Sequence, residues 1–419
     1  MKSFFIFLLT VLTFFVFAVQ IKAGEPENDK KEDSFFSRVN YEKAEQVLKE
    51  KPFFRTLEDL YKDKKDGLDI PFKKDGKNYY MPLFLSYSSP KRSLGFALES
   101  GNILENKKAA LELGSSKDGF YIKNYLDLKN NSFYINYSHL NFNQRFYKNG
   151  WISAPGFFTK ASDGNNYNQD LLAEIKTKHD TLSFTYTQKL SSLWGFFITP
   201  QYDYYFYENN SLDTGNHNAI TFGLNYTDGF EPDITMGSMT EIRRYQKNYL
   251  LTDLKRVKTS KAASISYTAG GPWLGADYKI NKLSLGGTYL WELKKHHRLA
   301  LFLKAQRAFS APFSSEIRSS DLLFGLGIYD REQVGKSGIS AGLSFTYFIL
   351  RNEINVLTLM PFYEQAFVSF SGKNFDSHSG AGAILTYKLW RLGMPISLNF
   401  TKNTNDGKSH IGVKIGGYF

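Results

Sequence analysis

Adjacent histidines at positions 296 and 297 are the nearest approach to metal chemistry in this chain. A neutral imidazole ligates zinc or copper through one ring nitrogen. A working site needs three or four ligands, and no companion ligands are spaced to complete one here. The pair reads as part of a solvated turn. The chain has no cysteine, which excludes a thiolate nucleophile and a disulfide framework. HExxH, GxSxG and P-loop patterns are absent. A membrane-embedded lipid hydrolase built on Ser, His and a polar partner stays open as an alternative, but no such trio can be picked out. We therefore expect no catalytic residue, cofactor or metal. One acid stands out by position. Glu364, in FYEQAFV, shares strand parity with Thr358 and Ala366 and opposes Leu357, Leu359 and Phe367. In an extended strand that places its carboxylate on the polar face.

The elements that would position this acid follow from the rest of the chain. Residues 1–23 read as a cleaved signal peptide: Lys2, then an apolar run from Phe4 to Val19, then Ile21 and Ala23 near a processing site. Losing them removes Lys2 and Lys22 and no acid, so the formal net charge of +11 falls by two. That mild, spread-out excess on an exported chain gives no expectation of a nucleic-acid partner. Residues 24–78 are charge-rich. Tyr41, Ala44, Val47 and Leu48 recur at helical spacing behind Asn40, and Phe53, Phe54, Leu57, Leu60 and Tyr61 suggest a second short helix after Pro52. We read 24–78 as a short, partly helical segment that tethers, plugs or docks.

From Tyr79 the period changes to two. In TLSFTYTQKL, Leu182, Phe184 and Tyr186 oppose Ser183, Thr185 and Thr187. In LALFLKAQ, Leu299, Leu301 and Leu303 oppose Lys304 and Gln306; in ISLNFTK, Ile396, Leu398 and Phe400 oppose Ser397, Asn399 and Thr401. Sixteen such segments fall at 79–88, 91–102, 107–114, 118–128, 131–145, 168–190, 194–208, 217–228, 260–270, 276–293, 296–309, 337–350, 354–370, 379–389, 394–403 and 410–419. Short turns mostly follow the even segments and longer loops the odd ones, with 229–259 as a long exception. Aromatic residues make up 16% of the chain, while no later stretch reaches the roughly 20 apolar residues of a spanning helix. The pattern predicts an all-β fold: a 16-stranded antiparallel transmembrane β-barrel over 79–419. A soluble sandwich would need its apolar faces packed on each other. Closing a barrel joins the last strand to the first, so KSHIGVKIGGYF should be complete to its end. Ile411, Val413, Ile415 and Phe419 lie on one side, with Lys414 and Tyr418 on the other, and Phe419 would sit in the interfacial aromatic girdle.

The final third resembles the BamA/TamA surface-antigen superfamily, in the kind of member that lacks the periplasmic POTRA repeats. That family has a glycine-containing loop between strands 11 and 12 with a Val-Arg-Gly-aromatic motif that folds into the lumen. Here LLFGLGIYDREQVGKSG follows the eleventh segment. Gly325 and Gly327 match the paired glycines and Arg331 the arginine, while Glu332 and Gln333 replace the motif's glycine and aromatic residue. SFTY has Thr346 where family strand 12 carries an acid, and FYEQAFV offers Glu364 on strand 13; GAGAILTYKL and MPISLNFTKNTNDGK resemble strands 14 and 15. The resemblance implies an Arg331–Glu364 contact pinning the loop. It also implies a weak seam between first and last strands, to be probed with cysteines at Ser86 and Gly412.

By that resemblance the expected function is insertion or translocation of proteins or lipids at the outer membrane of a Gram-negative-type envelope. The expected surroundings are outer-membrane lipid, with client proteins or periplasmic partners, around a monomer. A passive pore or transporter is the alternative, and the lipid hydrolase the second.

Overall fold

Strict alternation along most of the sequence produces strands almost throughout. The computed structural model describes residues 68–74, 77–88, 93–99, 108–128, 131–154, 171–208, 212–228, 260–293, 297–351, 355–369, 375–389, 395–405 and 407–415. The helices expected at 41–48 and 53–61, His296, Tyr418 and Phe419 lie outside these residues.

In chain order the strands are β1 (Leu68–Lys74), β2 (Lys77–Ser88), β3 (Ser93–Glu99), β4 (Lys108–Ser116), β5 (Gly119–Asp127), β6 (Asn131–Tyr147), β7 (Trp151–Ser153), β8 (Leu171–Lys189), β9 (Trp194–Tyr207), β10 (Gly215–Asn216) and β11 (Ala219–Asp228). They continue with β12 (Ser260–Gly270), β13 (Ile280–Glu292), β14 (Arg298–Ser310), β15 (Ile317–Arg318), β16 (Arg331–Gly335), β17 (Ser337–Arg351), β18 (Asn355–Ser369), β19 (Asp376–Leu389), β20 (Pro395–Asn403) and β21 (Ser409–Ile415). All belong to one sheet.

Among the described residues the strands number twenty-one, a correction to the sixteen expected. Each of the sixteen alternating segments does contain a strand. The additions are β1, β7, β10, β15 and β16, none longer than seven residues. Four of these lie in connections, where backbone N–H and C=O groups brought out of water must find partners. The fifth, β1, changes the reading of 24–78. The end of that segment is a strand, and β2 begins at Lys77. Its signal is the two-residue Asp75-Gly76 spacing that the register Lys74 opposite Lys77 leaves between two alternating runs, a strong hairpin signature. The charge-rich composition obscured it.

Neighbouring long strands are antiparallel and follow one another along the sheet, from β2–β3 through β6–β8, β9–β11 and β14–β17 to β20–β21. The last also meets the first: Tyr87 lies opposite Ile415 and Ser88 opposite Lys414.

The two faces of the sheet invert the arrangement of a water-soluble protein. Phe184, Leu224, Ile265, Leu303 and Phe400 are exposed, whereas their chain neighbours Thr185, Asn225, Ser264, Lys304 and Thr401 are buried. A soluble sandwich hides its apolar side. Here the apolar side is presented outward, strand after strand, and the polar side is enclosed. Where β13, β14, β18 and β19 meet the long connection after β14, the enclosed face carries an apolar patch of Leu290, Ala300, Phe302, Met360, Phe362 and Ile384, joined by Phe324 and Leu326 from that connection.

Candidate functional site

The connection 311–336 leaves β14 and returns as β17, and it lies on the enclosed face. Its root is a 3-10 turn at Phe313–Ser315, followed by β15 and a one-turn helix α1 (Ser319–Leu322). Leu322 and Leu323 are buried against Ile317, Ala366 and Val368. Gly325 then takes φ +65°, a left-handed conformation that L side chains rarely adopt, and the chain reverses at the tip.

Glu364 sits beneath that tip and is fully buried. Its Oε2 accepts the Phe324 N–H at 2.8 Å, and its Oε1 accepts the Gly327 N–H at 2.6 Å and the Tyr329 hydroxyl at 2.9 Å. Three donors to a charged acceptor make these strong hydrogen bonds. Burial, then the adjacent Glu364 charge, pushes the Tyr329 hydroxyl well above the usual phenol range, so it remains a donor. Asn399 donates its amide to the Leu326 carbonyl at 2.7 Å, and the Ile328 N–H reaches Thr401 Oγ1 at 3.0 Å. Phe324 stacks on Phe302 with centroids 4.8 Å apart. The wall is shaped to receive these rings: a Cβ on Gly342 would come within 2.9 Å of Phe324, and one on Gly380 within 2.5 Å of Tyr329.

The expected partner of Glu364 was Arg331, and this is corrected. Arg331 lies over the Tyr147 ring, its guanidinium carbon 3.7 Å from the centroid, a cation–π geometry. Its strand β16 pairs with β7, with Arg331 opposite Ser153, Glu332 opposite Ile152 and Gln333 opposite Trp151. The carboxylate instead holds the loop through backbone and phenol. That choice follows from the turn at Gly325, which aims two N–H groups down at the wall.

The residues that depart from the family motif have structural partners. Glu332 Oε1 is 2.6 Å from the Arg318 guanidinium, and Ser320 donates to Oε2 of the same side chain. Burial works against the Arg318 charge, but Glu332 more than offsets it and keeps the group protonated. The Gln333 N–H donates to Ser319 Oγ at 2.9 Å, and Ser319 Oγ lies 2.7 Å from Nδ1 of the fully buried His378. Tyr329, Arg318, Ser319 and His378 were not singled out in the sequence. The glycine-rich run GAGA on β19, which leaves room for Tyr329, was the available hint.

The loop root is fastened separately. Asp213 Oδ2 accepts the Ser314 N–H at 3.0 Å and the Ser314 hydroxyl at 2.6 Å. His217 Nε2 faces the Asp213 carbonyl at 2.9 Å, so Nε2–H donates there and Nδ1 accepts from Ser315 at 3.1 Å. Burial lowers the His217 imidazole below its usual range and keeps it neutral. Ser314 Oγ also lies 3.0 Å from His217 Nδ1, but a serine hydrolase relays its histidine to the carboxylate; here Nε2 is 3.9 Å from Asp213 Oδ2, and the Ser314 hydroxyl has that oxygen at the shorter 2.6 Å. The geometry fastens a loop.

His297, the described member of the histidine pair, accepts the Phe348 N–H at 3.2 Å and stacks on Tyr347. Ser86 lies opposite Gly95 and Gly412 opposite Asn399. They do not face each other, so the seam pair for cross-linking moves to Ser88 and Lys414, which do.

No protein-family model matches the sequence, and no curated protein matches it. Among solved structures, CdiB from Escherichia coli aligns with a TM-score of 0.55 at 11% identity, over 88% of this chain and 70% of its own. BamA from Haemophilus ducreyi lacking POTRA domains 1–3 aligns with a TM-score of 0.49 at 12% identity, over 87% and 77%. CdiB from Acinetobacter baumannii gives 0.48 at 11%, over 87% and 67%. At such identity a likeness is one of fold, and on the first of these alignments the chain shares its fold with CdiB.

Proposed function

We propose that the sixteen long strands close into a transmembrane β-barrel of the outer membrane. Its exposed apolar face turns to lipid, and the 311–336 loop is seated in the bore on Glu364. Strand alternation, outward apolar side chains and the β2–β21 pairing support this, since only a closed sheet leaves no backbone edge in lipid. Residues 1–23 act as the export signal in this reading.

Within that barrel the working part is the seam, where a protein strand or lipid inserts or is translocated. The observation that carries this is the divided edge of β2 that faces β21. Among the described residues β21 meets β2 at Tyr87–Ile415 and Ser88–Lys414, and β1 pairs with β2 from Lys77 to Leu83. An edge shared between two strands is where a guest strand can pair by strand addition. The test is a disulfide between Ser88→Cys and Lys414→Cys in purified protein reconstituted into vesicles. Oxidation should abolish insertion of an unfolded porin and reduction restore it. Unchanged insertion, with steady ion conductance in both states, would favour the pore reading.

Among the described residues, the Ser314–His217–Asp213 group is a place where the hydrolase reading can be tested. Fatty-acid release from vesicles that disappears in His217→Ala would establish it over the seam reading.

A further inference from the structure

Strand β2 has two edges, and one is taken by β3, which pairs with it from Leu83 to Ser88. β1 also pairs at Leu83, and β21 also pairs at Tyr87 and Ser88. A residue in a sheet has one neighbour on each side, so β1 and β21 must both lie on the edge away from β3. That edge is therefore shared end to end. Among the described residues, β21 holds Tyr87 and Ser88, and β1 holds everything from Lys77 to Leu83.

We propose that β1 is a built-in guard strand: it occupies the seam edge of β2 and must leave before any partner strand can pair there. The proposal rests on the barrel-and-seam reading and adds its control. The sequence suits the part. Leu68, Ile70 and Phe72 alternate with Asp69, Pro71 and Lys73, and by register they match Leu83, Met81 and Tyr79 of β2. β1 thus offers the alternation that an incoming barrel strand would offer. Pro71 lacks an N–H and is tolerated only in an edge strand. The two-residue Asp75-Gly76 connection keeps β1 at an effective concentration on the order of millimolar or above beside β2. A guest strand at micromolar concentration does not compete with that unless something removes β1. No such device was visible in the resemblance to assembly barrels, and it makes the residues before the barrel a regulator.

The test uses the full-length protein in phosphatidylethanolamine–phosphatidylglycerol vesicles and a synthetic peptide copying residues 67–74, GLDIPFKK, with a photo-crosslinker. Asp69→Pro and Ile70→Pro are made separately. Consecutive N–H groups point to opposite edges of a strand, so one of the two removes a rung to β2. Ile70→Cys/Met81→Cys and Lys73→Cys/Asn78→Cys staple β1 in place; they lie in the two alternate pair types of an antiparallel ladder, so one suits a disulfide. Heat-modifiable gel mobility confirms an intact barrel in each variant. We expect the peptide to label Lys77–Leu83 at least tenfold more in the effective proline variant than in the unaltered protein. Labelling should be suppressed by the oxidised staple and return to the unaltered level on reduction. Equal labelling of all forms, or none in either proline variant, overturns the guard strand. Because the probe copies β1 and no client is present, that failure is separate from loss of porin insertion, which tests the seam reading itself.

Discussion

The wall under the 311–336 loop and the seam between β2 and β21 belong to one sheet and are built in opposite ways. At the wall, strands β14 and β17 to β20 run in long ladders, with an irregularity between Phe348 and Leu350 of β17, and a buried acid, two apolar clusters and a lock of charged groups hold a second layer against them. At the seam, among the described residues, β21 meets β2 at Tyr87 and Ser88 and β1 takes the same edge from Lys77 to Leu83. The contrast teaches that the wall carries a fixed second layer, while at the seam the edge of β2 is divided between two strands. Anything that opens this protein should open it at the seam and leave the loop seated.

The sharpest way to break that comparison is to free the loop. Glu364→Ala leaves the Phe324 and Gly327 amides and the Tyr329 hydroxyl without their acceptor. Buried donors left unsatisfied cost ~1–3 kcal/mol each, so we expect a loss of about 3–5 kcal/mol in urea unfolding. Single-channel recordings should change from low, flickering current to a larger steady one. Glu364→Gln keeps the shape and part of the accepting capacity and should lose less.

Next in size is the Arg318–Glu332 lock. Arg318→Met strands a nearly fully buried carboxylate, with an expected loss of about 3 kcal/mol. The double change to Arg318→Met/Glu332→Gln should recover most of it, because no buried charge is then left alone. A double-mutant cycle measures this, and additive losses would show that the two groups act independently.

A smaller effect is expected at Arg331. Arg331→Lys keeps the charge but loses the planar stack on Tyr147, for a loss of about 1 kcal/mol. Loop protection from protease should fall slightly while the seam disulfide Ser88–Lys414 forms as before. The smallest effect is on pH. His217 is held below its ordinary range by burial. Between its folded and unfolded values the unfolded chain binds more protons, so stability rises with pH there. The loop root should therefore loosen as pH falls below the ordinary histidine range, and His217→Gln should flatten that dependence in hydrogen exchange at residues 313–315.

The sequence made the long strands legible because a period of two is a local signal, and each of the alternating segments contains a strand. Glu364 was legible for the same reason: parity alone put it on the enclosed face. Its partners were not. Which backbone groups a loop offers depends on its turn, and the left-handed Gly325 that aims Phe324 and Gly327 downward is a tertiary outcome. Resemblance supplied Arg331 as the partner, but the replacement of the motif glycine by Glu332 went with a different arrangement, with Glu332 locked to Arg318 and Arg331 over Tyr147. The β1 hairpin was readable from Asp75-Gly76 and was masked by the lysines around it. The placement of β7 beside β16 had no local signal, since their pairing joins residues far apart in sequence.

That last pairing has a mechanical consequence. β7 belongs to the stretch between β6 and β8, while β16 belongs to the loop between β14 and β17, and β9, β11, β12 and β13 lie between those two places along the sheet. A hydrogen-bonded tie between such distant walls is a cross-brace. In the proposed barrel it resists flattening, so strain from a crowded or thinned bilayer is steered toward the walls away from β7 and β16.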